Sequence, residues 1–553
     1  MPIPPTAAAA AGARGALWRW IDRNFLHLGR EMRLTYLPPL MVYVAYGIQG
    51  ITAIAGQFFV KDYLGLSAEF LAALAFWMGI PWALKMPVGH LVDLMWKRKA
   101  GLVYLGAALI AGSFLIMLGL IGERAAMERV LDADAWFVIA ALLGPIGYVL
   151  QDAVADAMTV EAVPRFDRTG QPTPEAELRL MHTTMQTLGR VAVIGGLVLV
   201  AALNVWLFAG VESMSESDKV AVYRRAYQLA LAIPVVSIVG VLLAGWLRRR
   251  DLGRLVAHGV APERAAAMLN PHAERPPVNW WILGGGLLYA VVSLSVGLGK
   301  VPGAQEIVFG ASMAIVLFLI WRLVRELSPE ARATLVGTAF VIFVFRALPG
   351  PGPGYSWWTI DVLRFDQQFL AKLGLLSNVL TLVGLFVFRR FMAERSIAYV
   401  VGFLTIVGTL LAAPTVGMYY GLHEWTARHT GGVVDARFIA LVDTALESPL
   451  GQIAMVPMLA WIARSAPDRL KATYFAVMAS FTNLALSASA LGTKYLNQAF
   501  TVSRAVKDHA TGAIQVAQDY SQLGHLLLIS IALGFLLPLA AIVIVRTTRF
   551  RSA

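Results

Sequence analysis

The 553-residue chain contains no cysteine. Disulfides, thiolate zinc sites and cysteine-held iron–sulfur clusters are therefore excluded. Charge is scarce as well: 14% of residues are Asp, Glu, Lys or Arg, against 58% hydrophobic. Soluble proteins carry about a quarter charged residues, so most of this surface must face lipid. Enzyme signatures are missing too. There is no GxxxxGK[ST] phosphate cradle, no HExxH and no GxSxG, and the nine His are scattered without metal-ligand spacing. We expect no enzyme activity, no cofactor and no metal. The alternative of another class, a membrane-embedded enzyme, would need a catalytic cluster at the membrane surface, and the inner linker (248–279) offers none.

Long apolar runs fill the chain instead. Tyr36–Val60, Gly101–Gly122, Ser396–Leu422 and Leu526–Val545 carry no charge, and each can supply the roughly 20 residues that cross a bilayer core. They lack period-two alternation, so they read as helices rather than barrel strands. The pattern predicts an all-α polytopic membrane protein of about 14 spans. The divisions are an N-terminal segment (1–35), six spans (36–247), a polar linker (248–279), an extra pair (280–325), six more spans (331–546) and a tail (547–553). Trp18, Ile21, Phe25 and Leu28 share one helical face, which suits an interfacial helix. A disordered tail fits residues 1–35 equally well.

An even number of spans puts both termini on one side. Most of the 46 Lys and Arg then fall there, in short loops such as Lys97-Arg98-Lys99, Arg248-Arg249-Arg250 and Arg389-Arg390. By the positive-inside rule that side is cytoplasmic; we expect an integral protein of the cell (inner) membrane with both termini cytoplasmic. The net charge of +12 follows from topology. Basic residues spread over every inner loop give no support to a nucleic-acid partner.

The two halves echo each other. Lys61-Asp62-Tyr63-Leu64-Gly65-Leu66, ending Phe70-Leu71, returns as Ile360-Asp361-Val362-Leu363-Arg364-Phe365, ending Phe369-Leu370. Leu150-Gln151-Asp152 with Asp156 returns as Leu441-Val442-Asp443 with Glu447. The similar offsets imply two homologous six-helix halves, with the pair at 280–325 inserted between them.

A charge at the bilayer centre costs at least about 2.5–3.5 kcal/mol, so charged residues inside spans need a reason. Asp152 and Asp156 share a helical face, as do Asp443 and Glu447. Close carboxylates in a low dielectric resist ionising together, which suits proton coupling. Alternatively they pair with buried cations and fix helix packing. The cations in the spans are Lys85, Arg190, Arg346 and Lys494, with Lys372 nearer an outer end. They suit an anionic substrate, or they neutralise the carboxylates. His182, Gln186 and Arg190 follow at steps of four, a polar stripe that lines a cavity or packs on another polar face. Ser480, Asn483 and Ser487 form a second such face, for substrate contact or for interhelical hydrogen bonds. Glu161, near an inner end, is expected to partner a basic loop residue.

Residues 349–354, Pro-Gly-Pro-Gly-Pro-Gly, cannot continue a helix. They form a break within a span or a loop beyond it. Gly89 and Asp93 precede Lys97 and Arg98 in a G-x-x-x-D…[RK] pattern that resembles the gating signature of major facilitators.

The chain resembles the folate–biopterin transporter family of the major facilitator superfamily. In the first half the likeness rests on Lys61–Ser67, on Pro81-Trp82 with Lys85, and on Asp152, Asp156 and Glu161. In the second it rests on Trp357-Trp358 with Asp361, on Leu441–Pro457, and on Thr473-Tyr474-Phe475-Ala476 with Ser480 and Asn483. The resemblance implies a major-facilitator fold and symport of pteridine-containing compounds with protons. Substrate contact then falls to Lys85, Arg190, Gln186, His182 and Asn483, proton coupling to Asp152, Asp156, Asp443 and Glu447, and gating to Gly89, Asp93, Lys97 and Arg98. The inserted pair and the long linker depart from the twelve-helix plan. The helix around Asp152 is also similar to that of bacterial muropeptide permeases, an alternative substrate class.

Overall fold

A computed structural model describes residues 30–553 apart from 84, 165, 167–170, 172, 270–277, 299–300, 326–327, 389–390, 392–394, 452, 454–470, 508–513, 549 and 551–553. Most of the N-terminal segment, Arg389-Arg390 and the Pro276-Pro277 pair lie outside the described residues. The described chain is helical but for a two-stranded hairpin, β1 (Val506–Lys507) and β2 (Ile514–Val516). Eleven of its helical segments are long and apolar enough to cross a membrane.

The first bundle opens with α1 (Leu37–Gly47), a 3-10 stretch (Ile48–Thr52) and α2 (Ala53–Phe59). It continues through α3 (Ala68–Ala83), α4 (Lys85–Leu94), α5 (Ala100–Gly122), α6 (Ala133–Ala162), α7 (Glu175–Leu207), α8 (Glu216–Ala230) and α9 (Ala232–Ala257). A short linker helix, α10 (Pro262–Met268), leads to the inserted pair, α11 (Trp280–Leu298) and α12 (Ala304–Val324). The second bundle holds α13 (Pro329–Arg346), α14 (Pro353–Asp361), α15 (Gln367–Val387), α16 (Ile397–Leu411), α17 (Ala413–Tyr419), α18 (Ala436–Glu447), α19 (Lys471–Ala499) and α20 (Leu523–Thr547). The all-helical, many-span character agrees with the class expected from the sequence.

Glycine sets the tightest crossings, as expected where no hydrophobic force separates helices from lipid and close backbone approach supplies the attraction. A Cβ on Gly106 would lie 2.6 Å from the Gly147 carbonyl oxygen, and the reverse holds for Gly147, so α5 and α6 meet backbone to backbone. A Cβ on Gly47 would overlap the Val193 carbonyl oxygen where α1 crosses α7.

The Pro-Gly run separates two helices. The helix stops at Arg346 and restarts at Pro353. Backbone that leaves the helix inside a membrane must find other partners. Here Ser489 Oγ donates to the Leu348 carbonyl (2.5 Å), Ser530 Oγ to that of Pro349 (2.8 Å) and Asn497 Nδ2 to that of Pro351 (3.3 Å), while Gly350 N donates to Thr493 Oγ1 (3.0 Å). Ser489, Thr493 and Asn497 recur at steps of four on α19, so one helix face holds the break.

The first span begins at what we name the near end and finishes at the far end. At the far end polar contacts join the bundles. Lys61 Nζ lies 2.6 Å from Asp361 Oδ1. Gln367 Nε2 donates to Tyr223 Oη (2.8 Å), Gln498 Nε2 to Glu69 Oε1 (2.5 Å) and Arg504 Nη2 to the Val60 carbonyl (3.0 Å).

Candidate substrate and ion site

Lys85 begins α4 and Asp152 and Asp156 lie one turn apart on α6, so both carboxylates face one ammonium. Lys85 Nζ is 2.6 Å from Asp152 Oδ2 and 2.9 Å from Asp156 Oδ2. Tyr43 on α1 donates its hydroxyl to Asp156 Oδ1 (2.7 Å). The Asp152 side chain is 14% exposed and that of Asp156 47%. One cation against two anions leaves the cluster a net negative charge. Arg190 on α7 is within electrostatic reach of Asp152 and Tyr43, is exposed, and has no ion pair among the described residues. Lys85 is thus already neutralised, whereas Arg190 is available. The side chains of His182 and Gln186 lie outside the described residues.

Aromatic residues stand beside this cluster. Tyr46 meets Trp82 edge to face at 5.7 Å and Tyr148 at 5.9 Å between ring centres. Sequence reasoning did not single out Tyr43 or Tyr46; their spacing from the charged residues gives no signal, because they sit on a different helix.

The second half repeats the carboxylates without the cation. Asp443 Oδ2 accepts from Thr415 Oγ1 (3.4 Å), and its Oδ1 is buried with no hydrogen bond among the described residues. Glu447, one turn on, is exposed. Neither has an ion pair among the described residues. The other cations are elsewhere. Arg346 Nε donates to the Thr482 carbonyl (3.2 Å). Lys494 Nζ pairs with Glu306 of the inserted α12 (3.2 Å), which also takes the Tyr495 hydroxyl. Lys372 is exposed on α15. On α19, Asn483 Nδ2 donates to the Trp82 carbonyl (3.2 Å), a bond between the bundles, while the hydroxyls of Ser480 and Ser487 are buried with no partners among the described residues.

At the near end, Gly89 and Asp93 lie on α4, and Lys97 and Arg98 on the turn after it are exposed and carry no ion pair among the described residues. The loop cation that is engaged is Lys99. It is buried, lies 2.6 Å from Glu161 Oε1 and sits 4.1 Å over the Trp96 ring.

Known proteins match both the sequence and the fold. Residues 301–550 match the BT1 family. A "Folate-biopterin transporter" of Synechocystis sp. is 22% identical over 466 residues, which is 84% of this chain and 74% of that protein. The chain is a membrane transporter. The resemblance read from the sequence holds, and the likeness is to transporters rather than to enzymes. Among solved structures, the transporter's fold is similar to that of a POT family transporter in complex with 5-aminolevulinic acid, with a TM-score of 0.56 and 12% identity, covering 94% of this chain and 96% of that one. The POT family transporter PepTSo gives a TM-score of 0.54 at 12% identity, covering 94% and 98%.

Proposed function

We propose that the chain is a proton-coupled secondary transporter that carries folate- or pteridine-type organic anions by alternating access, in the cell (inner) membrane with both termini cytoplasmic. The observation that carries this reading is Lys85 shared between Asp152 and Asp156. In a low dielectric, breaking such a pairing leaves an uncompensated charge, so a competing anion needs help to enter. A proton on Asp156, the more exposed carboxylate, supplies that help by weakening one of the two bonds on Lys85. A substrate carboxylate then binds Lys85 with Arg190 beside it. Loss of the proton restores Asp156 as competitor and expels the anion, which ties the two movements together. The Tyr46, Trp82 and Tyr148 rings offer faces for a flat heterocycle.

Asp443 and Glu447 supply a second protonation site in the other bundle. On this reading the far-end contacts shut one side of the path, and the near, basic end is the side that opens. Gly89, Asp93, Lys97 and Arg98 lie where that end closes in the opposite state. The directional support for a pteridine substrate is the named relative. Asp156→Asn and Asp443→Asn each should abolish proton-driven uptake while expression stays normal. An unchanged pH dependence in both variants removes the coupling mechanism.

A further inference from the structure

Within the first bundle, at its near end, a cavity of about 270 Å³ lies apart from the Lys85 cluster. The starts of α1 and α5 and the ends of α6 and α9 surround it, and Leu269, just after α10, closes one edge. Its walls are largely apolar, with Pro38, Val154, Met158, Val241 and Leu247 among them. Its charged residues are Lys97, Lys99, Arg248, Glu161 and Asp251. These charges do not cancel. Lys99 is spent on Glu161. Asp251 faces Arg250 at 3.3 Å and Arg254 at 3.7 Å. Lys97 and Arg248 are left with no ion pair among the described residues. Arg248 is also close enough to act on Lys99 as a like charge. The Thr35 hydroxyl in the cavity is buried and has no hydrogen-bond partner among the described residues.

We infer that this cavity binds the headgroup of an anionic phospholipid. A phosphate ester would answer the excess of cations and give the Thr35 hydroxyl an acceptor. The apolar walls contribute nothing to a bare phosphate, but they can hold a glycerol backbone and the first acyl carbons. The location, at the end where the spans carry their basic loops, is the level at which anionic headgroups lie. The inference does not rest on the transport reading, since no residue of the Lys85 cluster lines the cavity.

The test titrates short-chain phosphatidylglycerol, phosphatidylcholine and inorganic phosphate against the full-length protein in a neutral detergent, with bound lipid read by native mass spectrometry. One phosphatidylglycerol should bind in preference to phosphatidylcholine, and inorganic phosphate should not displace it. Arg248→Gln should weaken binding about fivefold, the worth of one basic residue at an anionic surface. Arg249→Gln, next in sequence but outside the cavity lining, should leave it unchanged. A second variant tests shape with every charge intact. Gly245 lines the cavity and a Cβ there meets nothing within 4 Å, so Gly245→Leu has room to fold and should block the lipid. Equal weakening by Arg248→Gln and Arg249→Gln would mean diffuse surface attraction and would overturn the site. Equal binding of the two lipids, displacement by inorganic phosphate, or undiminished binding to Gly245→Leu would overturn it as well.

Discussion

Replacing Lys85 with glutamine removes the only positive charge in direct contact with Asp152 and Asp156 among the described residues. The two carboxylates, one turn apart, then face each other with Tyr43 as the remaining donor to Asp156. Breaking a buried pair by deleting one partner costs about 3–5 kcal/mol. Asp156 is 47% exposed and keeps access to water, while Asp152 at 14% does not. The loss therefore concentrates on Asp152 and should fall near the low end, about 3 kcal/mol. Thermal unfolding of detergent-solubilised protein, followed by tryptophan fluorescence, measures it. Asp152→Asn alone should cost less, because Lys85 keeps Asp156 at 2.9 Å. The double variant Lys85→Gln/Asp152→Asn should recover most of the stability, because no uncompensated charge is left buried. A double-mutant cycle isolates that coupling. If the double variant is as unstable as Lys85→Gln, or less stable, the ion pair is not the source and the argument fails.

Two further outcomes follow from the packing and from the far end. A Cβ at Gly384 would overlap the Pro449 carbonyl oxygen, so Gly384→Ala should lower the unfolding temperature, while Gly374→Ala on the same helix, where a Cβ meets nothing within 4 Å, should not. Lys61→Gln or Asp361→Asn should loosen the far-end seal, seen as faster labelling of a single cysteine introduced as Ser356→Cys into this cysteine-free chain. The exchanged pair Lys61→Asp/Asp361→Lys should restore slow labelling, and equal rates in every variant would contradict the seal.

The spans were legible because each needs a long uncharged run, and lipid leaves little freedom in how such a run folds. Glu161 was read as the partner of a basic loop residue, and Lys99 is that residue. The turn offers three adjacent basic residues, and only packing against Trp96 and Glu161 selects the third. The echo of Lys61-Asp62 in Ile360-Asp361 drew attention to both helix ends, but did not reveal that Lys61 pairs with Asp361. The Asp152/Asp156 and Asp443/Glu447 pairs look alike in sequence, yet Lys85 neutralises the first and no described cation reaches the second. Partner choice depends on helix rotation, which a one-dimensional pattern does not carry. The Pro-Gly run was open between a loop and a broken span. Its partners on α19, the donors Ser489 and Asn497 and the acceptor Thr493, lie more than 130 residues away.

Uptake of labelled folate into sealed proteoliposomes, with and without an imposed pH gradient, tests the central claim most directly. Accumulation that rises with an inward proton gradient and disappears when the gradient is collapsed is the expected result. No accumulation, from correctly folded protein in sealed vesicles, would contradict both the substrate class and the proton coupling.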